Sequence, residues 1–362
     1  MPNTDFKRLI RPHLLQLEHF SPADPPEEQA RRAGIPEEEI IRLNANENPY
    51  GPSPKVSDAV AQVDYSIYPD PEQRRVREAI SDFTSIPIER LIVGAGSDEI
   101  IDLVFRLVME LGDQIVDSDP TFGMYRFDAA VNGVETVLVQ RDDAFELDVK
   151  AITSAIDKRT KVIFICSPNN PTGNVASHEQ IKALLDTGLL VVVDEAYWEF
   201  SQQTVAPMVY DHDNLIVLRT LSKWGGIAGL RAGFGIMNPE LINRLFGMKQ
   251  PYNITTATEA AVIASFEDAD YLNCNARKIV SERERMIALL SDIEGLEPLP
   301  SGGNYVLCKL ATGRAKPVFH DLATRGIFLR NFSSPRLKDC FRISVGRPNE
   351  TDIVITALKE LV

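Results

Sequence analysis

The sequence predicts an α/β protein: a three-layer α/β/α large domain built on a mostly parallel sheet, joined to a smaller α+β domain. Three observations carry this expectation. From residue 91 to about 237, apolar runs of strand length alternate with helical stretches. Those runs are apolar without a period of two, which suits strands covered by helices on both faces. After about residue 256 the pattern changes to a long helical stretch followed by short strands that alternate with helices. A chain of 362 residues, 44% hydrophobic, can bury a large core and suits two domains or one large domain with an attachment.

The elements follow in order. Ser21 to Pro54 is rich in proline and acidic residues, with Pro22, Pro25, Pro26, Pro36, Pro49, Pro52 and Pro54 interrupting regular structure. It reads as an extended arm with one short helix. Tyr68-Pro69 reads as an exposed turn, and Asp70 then caps a helix that Pro71 opens and that runs through Arg77 and Ala79. Strands are expected at Leu91 to Val93, Gln114 to Val116, Thr136 to Val139, Val162 to Cys166, Leu189 to Val193 and Leu215 to Leu218. Helices are expected at Asp98 to Leu111 and His178 to Leu185. In the last third, one helical stretch from Thr256 to Ile293 carries Arg277, Lys278, Glu282, Arg283, Glu284 and Arg285, read as a solvated face. Strands at Asn304 to Lys309, Ile327 to Arg330 and Phe341 to Val345 alternate with helices at Lys316 to Arg325 and Glu350 to Leu361. No internal repeat or low-complexity tract is found.

Charge and composition exclude several classes. A net charge of −14 argues against a nucleic-acid partner, because phosphate backbones attract basic faces. Cys166, Cys274, Cys308 and Cys340 lie far apart, without the close pairs of a zinc site or redox dithiol, so no metal is expected. The start lacks the apolar core of a secretory signal, and no stretch is long and apolar enough to span a bilayer, so a cytoplasmic protein without a membrane partner is expected. The five histidines are scattered without His-Glu-x-x-His, and no Gly-x-Ser-x-Gly marks a nucleophilic serine.

Three strand ends deliver polar residues into loops: Ser-Pro-Asn-Asn-Pro-Thr-Gly (167–173), Asp-Glu-Ala-Tyr (194–197) and Thr-Leu-Ser-Lys-Trp-Gly-Gly (220–226). In open α/β sheets ligands sit beyond the carboxyl ends of the strands. Lys223 can form an imine with an aldehyde, and Arg231, eight residues on, can hold an anionic group of the same ligand. Together they suggest a phosphate-bearing aldehyde cofactor. Asp194 follows five apolar residues, so its carboxylate falls at a buried strand end and needs a cationic partner, which a protonated pyridine nitrogen would be. A competing reading takes this strand as the magnesium-binding strand of a nucleotide hydrolase, but the phosphate loop that it requires is missing. Tyr197 and Asn170 can each donate to a phenolate oxygen on the same ring. Gly94 to Glu99 opens a helix whose free N–H groups suit a phosphate, with Thr220, Ser222 and Arg231 completing a cup. Taken singly, each has a commoner structural role: a surface lysine, a turn asparagine, a core-edge tyrosine, a capped helix.

These segments, in this order and spacing, resemble pyridoxal-phosphate enzymes of the aspartate-aminotransferase fold (fold type I). Within that group the chain resembles the histidinol-phosphate aminotransferase family, through Asn-Glu-Asn-Pro-Tyr (46–50) and Pro-Thr-Phe-Gly-Met-Tyr (120–125), and the likeness runs from Leu-Asn-Ala-Asn-Glu-Asn-Pro-Tyr-Gly (43–51) to Phe-Arg-Ile-Ser-Val-Gly (341–346). The resemblance covers nearly the whole chain. It implies pyridoxal 5'-phosphate as cofactor, with Lys223 as the imine-forming lysine, Asp194 at the pyridine nitrogen, Asn170 and Tyr197 near the ring oxygen and Phe122 stacked on the ring. It implies a phosphate held by Gly96, Ser97, Asp98, Thr220, Ser222 and Arg231, and by Tyr68 of a second subunit, hence a homodimer with shared active sites. Arg330 and Arg342 resemble the family's substrate anion binders, able to grip the phosphate of histidinol phosphate or a carboxylate of glutamate. Phe122 and Phe20 stand where many or some members have tyrosine.

The activity so implied is amino transfer between L-glutamate and imidazole-acetol phosphate, giving L-histidinol phosphate and 2-oxoglutarate in histidine biosynthesis. An aromatic amino-acid aminotransferase and a threonine-phosphate decarboxylase are the alternatives on the same scaffold. A non-catalytic, cofactor-binding regulator would need a DNA- or partner-binding module, for which the proline-broken arm is too short. The expected division is 1–47 as arm and part of the small domain, 48–258 as the large cofactor-binding domain and 259–362 as the small domain.

Overall fold

The apolar runs of the middle third assemble into one seven-stranded sheet. The structure, a computed structural model, describes residues 6–17 and 24–362, so Phe20 and the first residues of the proline-rich arm lie outside it. In chain order the strands are β1 (Ile41–Arg42), β2 (Leu91–Ala95), β3 (Gln114–Asp119), β4 (Glu135–Gln140), β5 (Thr160–Cys166), β6 (Leu190–Asp194), β7 (Leu215–Thr220) and β8 (Ala232–Ile236), then β9 (Leu296–Pro298), β10 (Tyr305–Leu310), β11 (Ile327–Phe328), β12 (Arg330–Asn331) and β13 (Cys340–Ser344). The large sheet has the order β2-β8-β7-β6-β5-β3-β4. Every neighbouring pair is parallel except the two made by β8, which runs against both β2 and β7.

Alternate residues of the central strands enter two different cores, which is why these runs have no polar face. Val191 and Val193 of β6 pack with Ile163, Ile165 and Val217 on one side of the sheet. Val192 packs with Val162, Phe164, Ile216 and Leu218 on the other, under the helix Ser97–Val108. Burying each of these valines in full contributes roughly 1.5–3 kcal/mol of transfer free energy. The parallel strands point their carboxyl ends to one edge. That edge therefore receives Asp119, Cys166, Asp194 and Thr220, the last residues of β3, β5, β6 and β7.

The final third forms an antiparallel sheet, β12-β13-β10-β9, covered by the helices Ala315–Thr324 and Pro348–Leu361. β1 pairs in parallel with β11, Ile41 opposite Ile327, so this part of the arm is laid beside β11. On the antiparallel pair β12–β13, Arg330 stands opposite Arg342.

Four sequence expectations are corrected. The helix expected to open at Pro71 begins at Arg74, because Gln73 takes the left-handed conformation (φ 56°) to bury its amide against both backbone groups of Val93. Gln73, not Asp70, is the N-cap, although the Asp70 carboxylate accepts from the N–H groups of Glu72 and Arg74. The long helical stretch is two helices, Thr256–Glu267 and Ala269–Ser291, broken at Asp268, whose carboxylate accepts from Ser53. Glu282 and Arg283 are buried: Arg283 donates to the carbonyls of Phe200 and Gly303, tying the long helix to both halves of the chain. Strands β8 and β9 went unexpected, β8 because its Ala-Gly-Phe-Gly-Ile run holds too few bulky residues to read as a strand.

The glycines of β8 have a steric cause. A Cβ at Gly233 would strike the backbone of Gly96 and Ser97 where the helix Ser97–Val108 begins. Gly233→Ala should therefore lower stability by about 1–3 kcal/mol, as overpacking of a closed interior does. Urea unfolding of the two proteins checks this; equal midpoints would show that the helix start can yield.

Candidate active site

A cavity of about 630 Å³ opens at the carboxyl edge of the large sheet, between it and strands β12 and β13. It is lined by Ser97, Asp98, Phe122, Asn170, Asp194, Tyr197, Thr220, Ser222, Lys223, Arg231, Arg330 and Arg342, residues expected from the sequence and spread over more than 240 positions of the chain. Gly96 caps the helix whose first residues, Ser97 and Asp98, reach the lining. Tyr68 does not line it. It is 75% exposed, stacked on Tyr252 at 4.4 Å. A larger cavity, about 1450 Å³, is lined by Phe83, Trp198 and Arg277 among others and contains none of the expected residues.

At the base of the site, Asp194 is 2% exposed. Its Oδ2 accepts from the hydroxyl of Tyr125 at 2.8 Å and its Oδ1 from the N–H of Ala196 at 3.0 Å. Burial pushes the carboxyl up to about 6, against the pull of those two donors. No basic side chain among the described residues forms an ion pair with it, so a partly desolvated carboxylate faces the cavity with room for a cationic group.

Lys223 sits in the loop after β7, and its Nζ donates to the carbonyl of Ala45 at 2.9 Å. Burial, then the charge of Arg342, lowers its amine to about 8, with Glu47 and Asp98 opposing. Such an amine is a nucleophile near neutral pH. Its surface accessibility is intermediate, because one side of the side chain faces the cavity.

At one end of the cavity Gly96 adopts φ 82°, and a Cβ there would come within 2.5 Å of Arg231 Nη2. Glycine therefore lets the guanidinium lie against the helix N-terminus, where it meets Asp98 Oδ2 at 2.8 Å. Thr220 donates to Ser222 Oγ at 2.9 Å and its own Oγ1 accepts from the Ser222 N–H. Hydroxyls, a guanidinium and free helical N–H groups together make an anion cradle.

At the other end Arg342, 6% exposed, donates from Nη1 to Asn170 Oδ1 and from Nη2 to the carbonyl of Asn44, and lies over the ring of Tyr305. Its Nε has no hydrogen-bond partner among the described residues. Asn170 also donates from Nδ2 to the hydroxyl of Tyr197 at 3.3 Å, and Asn46 does so at 3.0 Å. Burial raises the Tyr197 phenol above its usual range. The site thus pairs an anion cradle with a second cationic end, and between them a nucleophilic amine and a buried carboxylate.

Asn44, Asn46 and Arg126 also line the cavity and Tyr125 bonds to its buried carboxylate, roles that the sequence did not assign. Phe122 and Tyr125 touch edge to face at 5.6 Å across one turn at the start of the helix Met124–Asn132. That three-residue spacing was the available signal. Arg126, which lines the cavity and pairs with Asp119 at 2.9 Å, carried none.

Because Lys223 is lowered in the folded chain, the unfolded chain binds more protons between about pH 8 and the usual lysine value near 10.5, and stability rises with pH through that window. Below it the buried ammonium is a net cost. Lys223→Met should stabilise the cofactor-free protein by about 1–3 kcal/mol at pH 7, after discounting its partial exposure and its bond to Ala45, and the gain should shrink by pH 10. Urea unfolding at the two pH values measures it; a gain independent of pH would refute the burial account.

Residues 38–358 match the family model described as aminotransferase class I and II. The chain is 45% identical to the histidinol-phosphate aminotransferase of Roseiflexus castenholzii, over 98% of both chains. It is 44% identical to the chloroplastic histidinol-phosphate aminotransferase of Nicotiana tabacum, over 97% of this chain and 86% of the relative. Its fold superposes with a TM-score of 0.89 and 28% identity, over 97% of each chain, on histidinol-phosphate aminotransferase from Sinorhizobium meliloti in complex with pyridoxal-5'-phosphate. Matched from end to end by such relatives and carrying this edge-of-sheet cavity, the chain belongs to the class I and II aminotransferase family, within its histidinol-phosphate aminotransferase branch.

Proposed function

We propose that this protein is a pyridoxal-phosphate-dependent transaminase moving an amino group between L-glutamate and imidazole-acetol phosphate, to give L-histidinol phosphate and 2-oxoglutarate in histidine biosynthesis. The observation that carries the reading is the convergence on one cavity of Lys223, Asp194, the cradle of Ser97, Thr220, Ser222 and Arg231, and the arginines Arg330 and Arg342. The relatives at 44–45% identity, named histidinol-phosphate aminotransferases, support histidinol phosphate as a substrate.

The donor set fits pyridoxal 5'-phosphate. That cofactor supplies, when bound, an aldehyde that condenses with amines and a pyridine ring that withdraws electrons. Gly96, Ser97, Asp98, Thr220, Ser222 and Arg231 would hold its phosphate, the first three through the helix start. Asp194 would keep the ring nitrogen's proton in place, its carboxylate having no other cation to neutralise it. Phe122 would cover a ring face, and Asn170 and Tyr197 would face the ring oxygen. Lys223 Nζ is the amine that would take up the aldehyde. Displaced by the substrate amine, Nζ would then take a proton from the substrate carbon and deliver it to the cofactor's former aldehyde carbon. Its lowered affinity for protons suits it to work as a base near pH 8.

Arg330 and Arg342, opposite one another on β12 and β13, would grip a phosphate in one half-reaction and a carboxylate in the other. In a homodimer, Tyr68 of the partner subunit would complete the phosphate contacts; the exposure of Tyr65, Ile67 and Tyr68 supports that reading. The division at 1–47, 48–258 and 259–362 and the cytoplasmic location belong to the same proposal. For the division, the β1–β11 pairing supports assigning the residues before 48 partly to the small domain.

Lys223→Ala should abolish turnover while the protein still binds pyridoxal 5'-phosphate, and borohydride should fix the cofactor to Lys223 alone, read by peptide mass spectrometry; an active alanine variant overturns the assignment. Titration of the cofactor's absorbance with glutamate, histidinol phosphate and phenylalanine separates the proposed substrates from an aromatic aminotransferase, and carbon dioxide release from threonine phosphate tests the decarboxylase. Arg330→Gln should raise KM for both histidinol phosphate and glutamate by roughly 10- to 100-fold, since a charged hydrogen bond contributes about 1.5–3 kcal/mol. An effect on only one substrate would show that the two anions are held separately.

A further inference from the structure

We propose that Tyr125 is a positioning residue that keeps Asp194 ionised and aimed, and so sets the lower pH limit for holding a protonated pyridine ring; this rests on the reading of Asp194 given above. Tyr125 is fully buried. Its ring stacks on Phe164 at 4.8 Å and meets the edge of Phe122 at 5.6 Å, so it is wedged between a strand of the sheet and the aromatic residue that lines the cavity. From that fixed position its hydroxyl donates to Asp194 Oδ2 at 2.8 Å, while the Ala196 N–H takes Oδ1 at 3.0 Å. Two donors on different elements thus hold the carboxylate by both oxygens, and the rest of it faces the cavity.

The sign of the effect follows from what else faces Asp194. Cys166 of β5 stands opposite it in register, Asp98 acts from the helix Ser97–Val108, and Glu195 and Tyr197 follow it in the chain. None of these carries positive charge. Lys223 and Arg231, beyond β7, line the same cavity. Burial and the neighbouring carboxylates favour the protonated acid, and the Tyr125 hydroxyl opposes them by bonding to the ionised form. A protonated Asp194 cannot neutralise a pyridinium. Removing the hydroxyl should therefore leave the site competent at high pH and impair it at low pH, an outcome that loss of packing alone would not produce.

Tyr125→Phe keeps the ring and its stacking and deletes the donor. The dissociation constant of pyridoxal 5'-phosphate from the reconstituted apoprotein, followed by fluorescence from pH 5.5 to 9, gives a readout independent of turnover. The acid limb should move up by about one pH unit, so that affinity falls roughly fivefold at pH 6 and differs by less than about twofold above pH 8.5. A ratio of variant to wild-type affinity that is constant across pH overturns the inference, as does a shift in the opposite direction. Should the phenylalanine variant fold poorly, 3,5-difluorotyrosine placed at residue 125, a stronger donor, should move the limb downward, and no movement counts against the proposal. Asp194→Asn run in parallel separates the two readings: if it leaves affinity unchanged at every pH, the role of Asp194 itself fails. If it weakens binding while the Tyr125 ratio stays flat, only the role of Tyr125 fails.

Discussion

A carboxylate at the end of a strand covered on both faces is expensive to keep ionised, and this protein is organised around one. Asp194 ends β6, the strand in the middle of the sheet, where both sheet faces are covered and only the cavity edge is open. Two hydrogen-bond donors hold it in place without neutralising it. Replacing it by an apolar residue would relieve the free chain of that cost, because buried groups of this kind are retained at the expense of stability. Lys223 carries the complementary cost, an amine partly withdrawn from water beside the guanidinium of Arg342. Together they set two ionisable groups, each costly to keep charged, in one cavity.

The geometry that brings them together is that of a parallel sheet. Because β3, β5, β6 and β7 run the same way, four separate loops open at one edge, and residues far apart in the chain become neighbours. The single reversed strand, β8, starts at that edge just after Arg231, whose guanidinium lies against the start of the helix after β2. Gly96 and Gly233 permit the close approach, and larger residues at either point would separate the arginine from the helix N-terminus.

A second network couples the site to the C-terminal sheet. Arg342 belongs to β13, yet it bonds to Asn170 in the loop after β5 and to the carbonyl of Asn44 beyond β1. Asn46 extends the network, donating to Tyr197 and accepting from Ser344. Movement of either sheet would thus be felt at the hydroxyl of Tyr197. Arg330, on the neighbouring strand, is placed by the antiparallel register and not by any local feature of its sequence.

Much of this was legible in the sequence. Runs such as Leu189 to Val193 show in their lack of alternation that both faces are covered, and a polar residue at the end of such a run has only the carboxyl edge to occupy. Asp194, Lys223 and Asn170 could be named for that reason and Arg231 for its nearness to Lys223 in the chain, and all four line one cavity. What the sequence could not decide was anything that depends on a neighbour from another element. Gln73 displaces a helix start because Val93 offers it both backbone groups. Glu282 and Arg283 are buried although they lie in a charged stretch, because the long helix packs against Phe200 and Gly303. Tyr125 read as one more aromatic in a helix, and only the packed sheet brings its hydroxyl to Asp194. Local patterning determined which residues must lie at the sheet edge, because hydrophobic burial is periodic along the chain. Tertiary structure alone decided which of them touch, because hydrogen bonds and charge depend on distances through space.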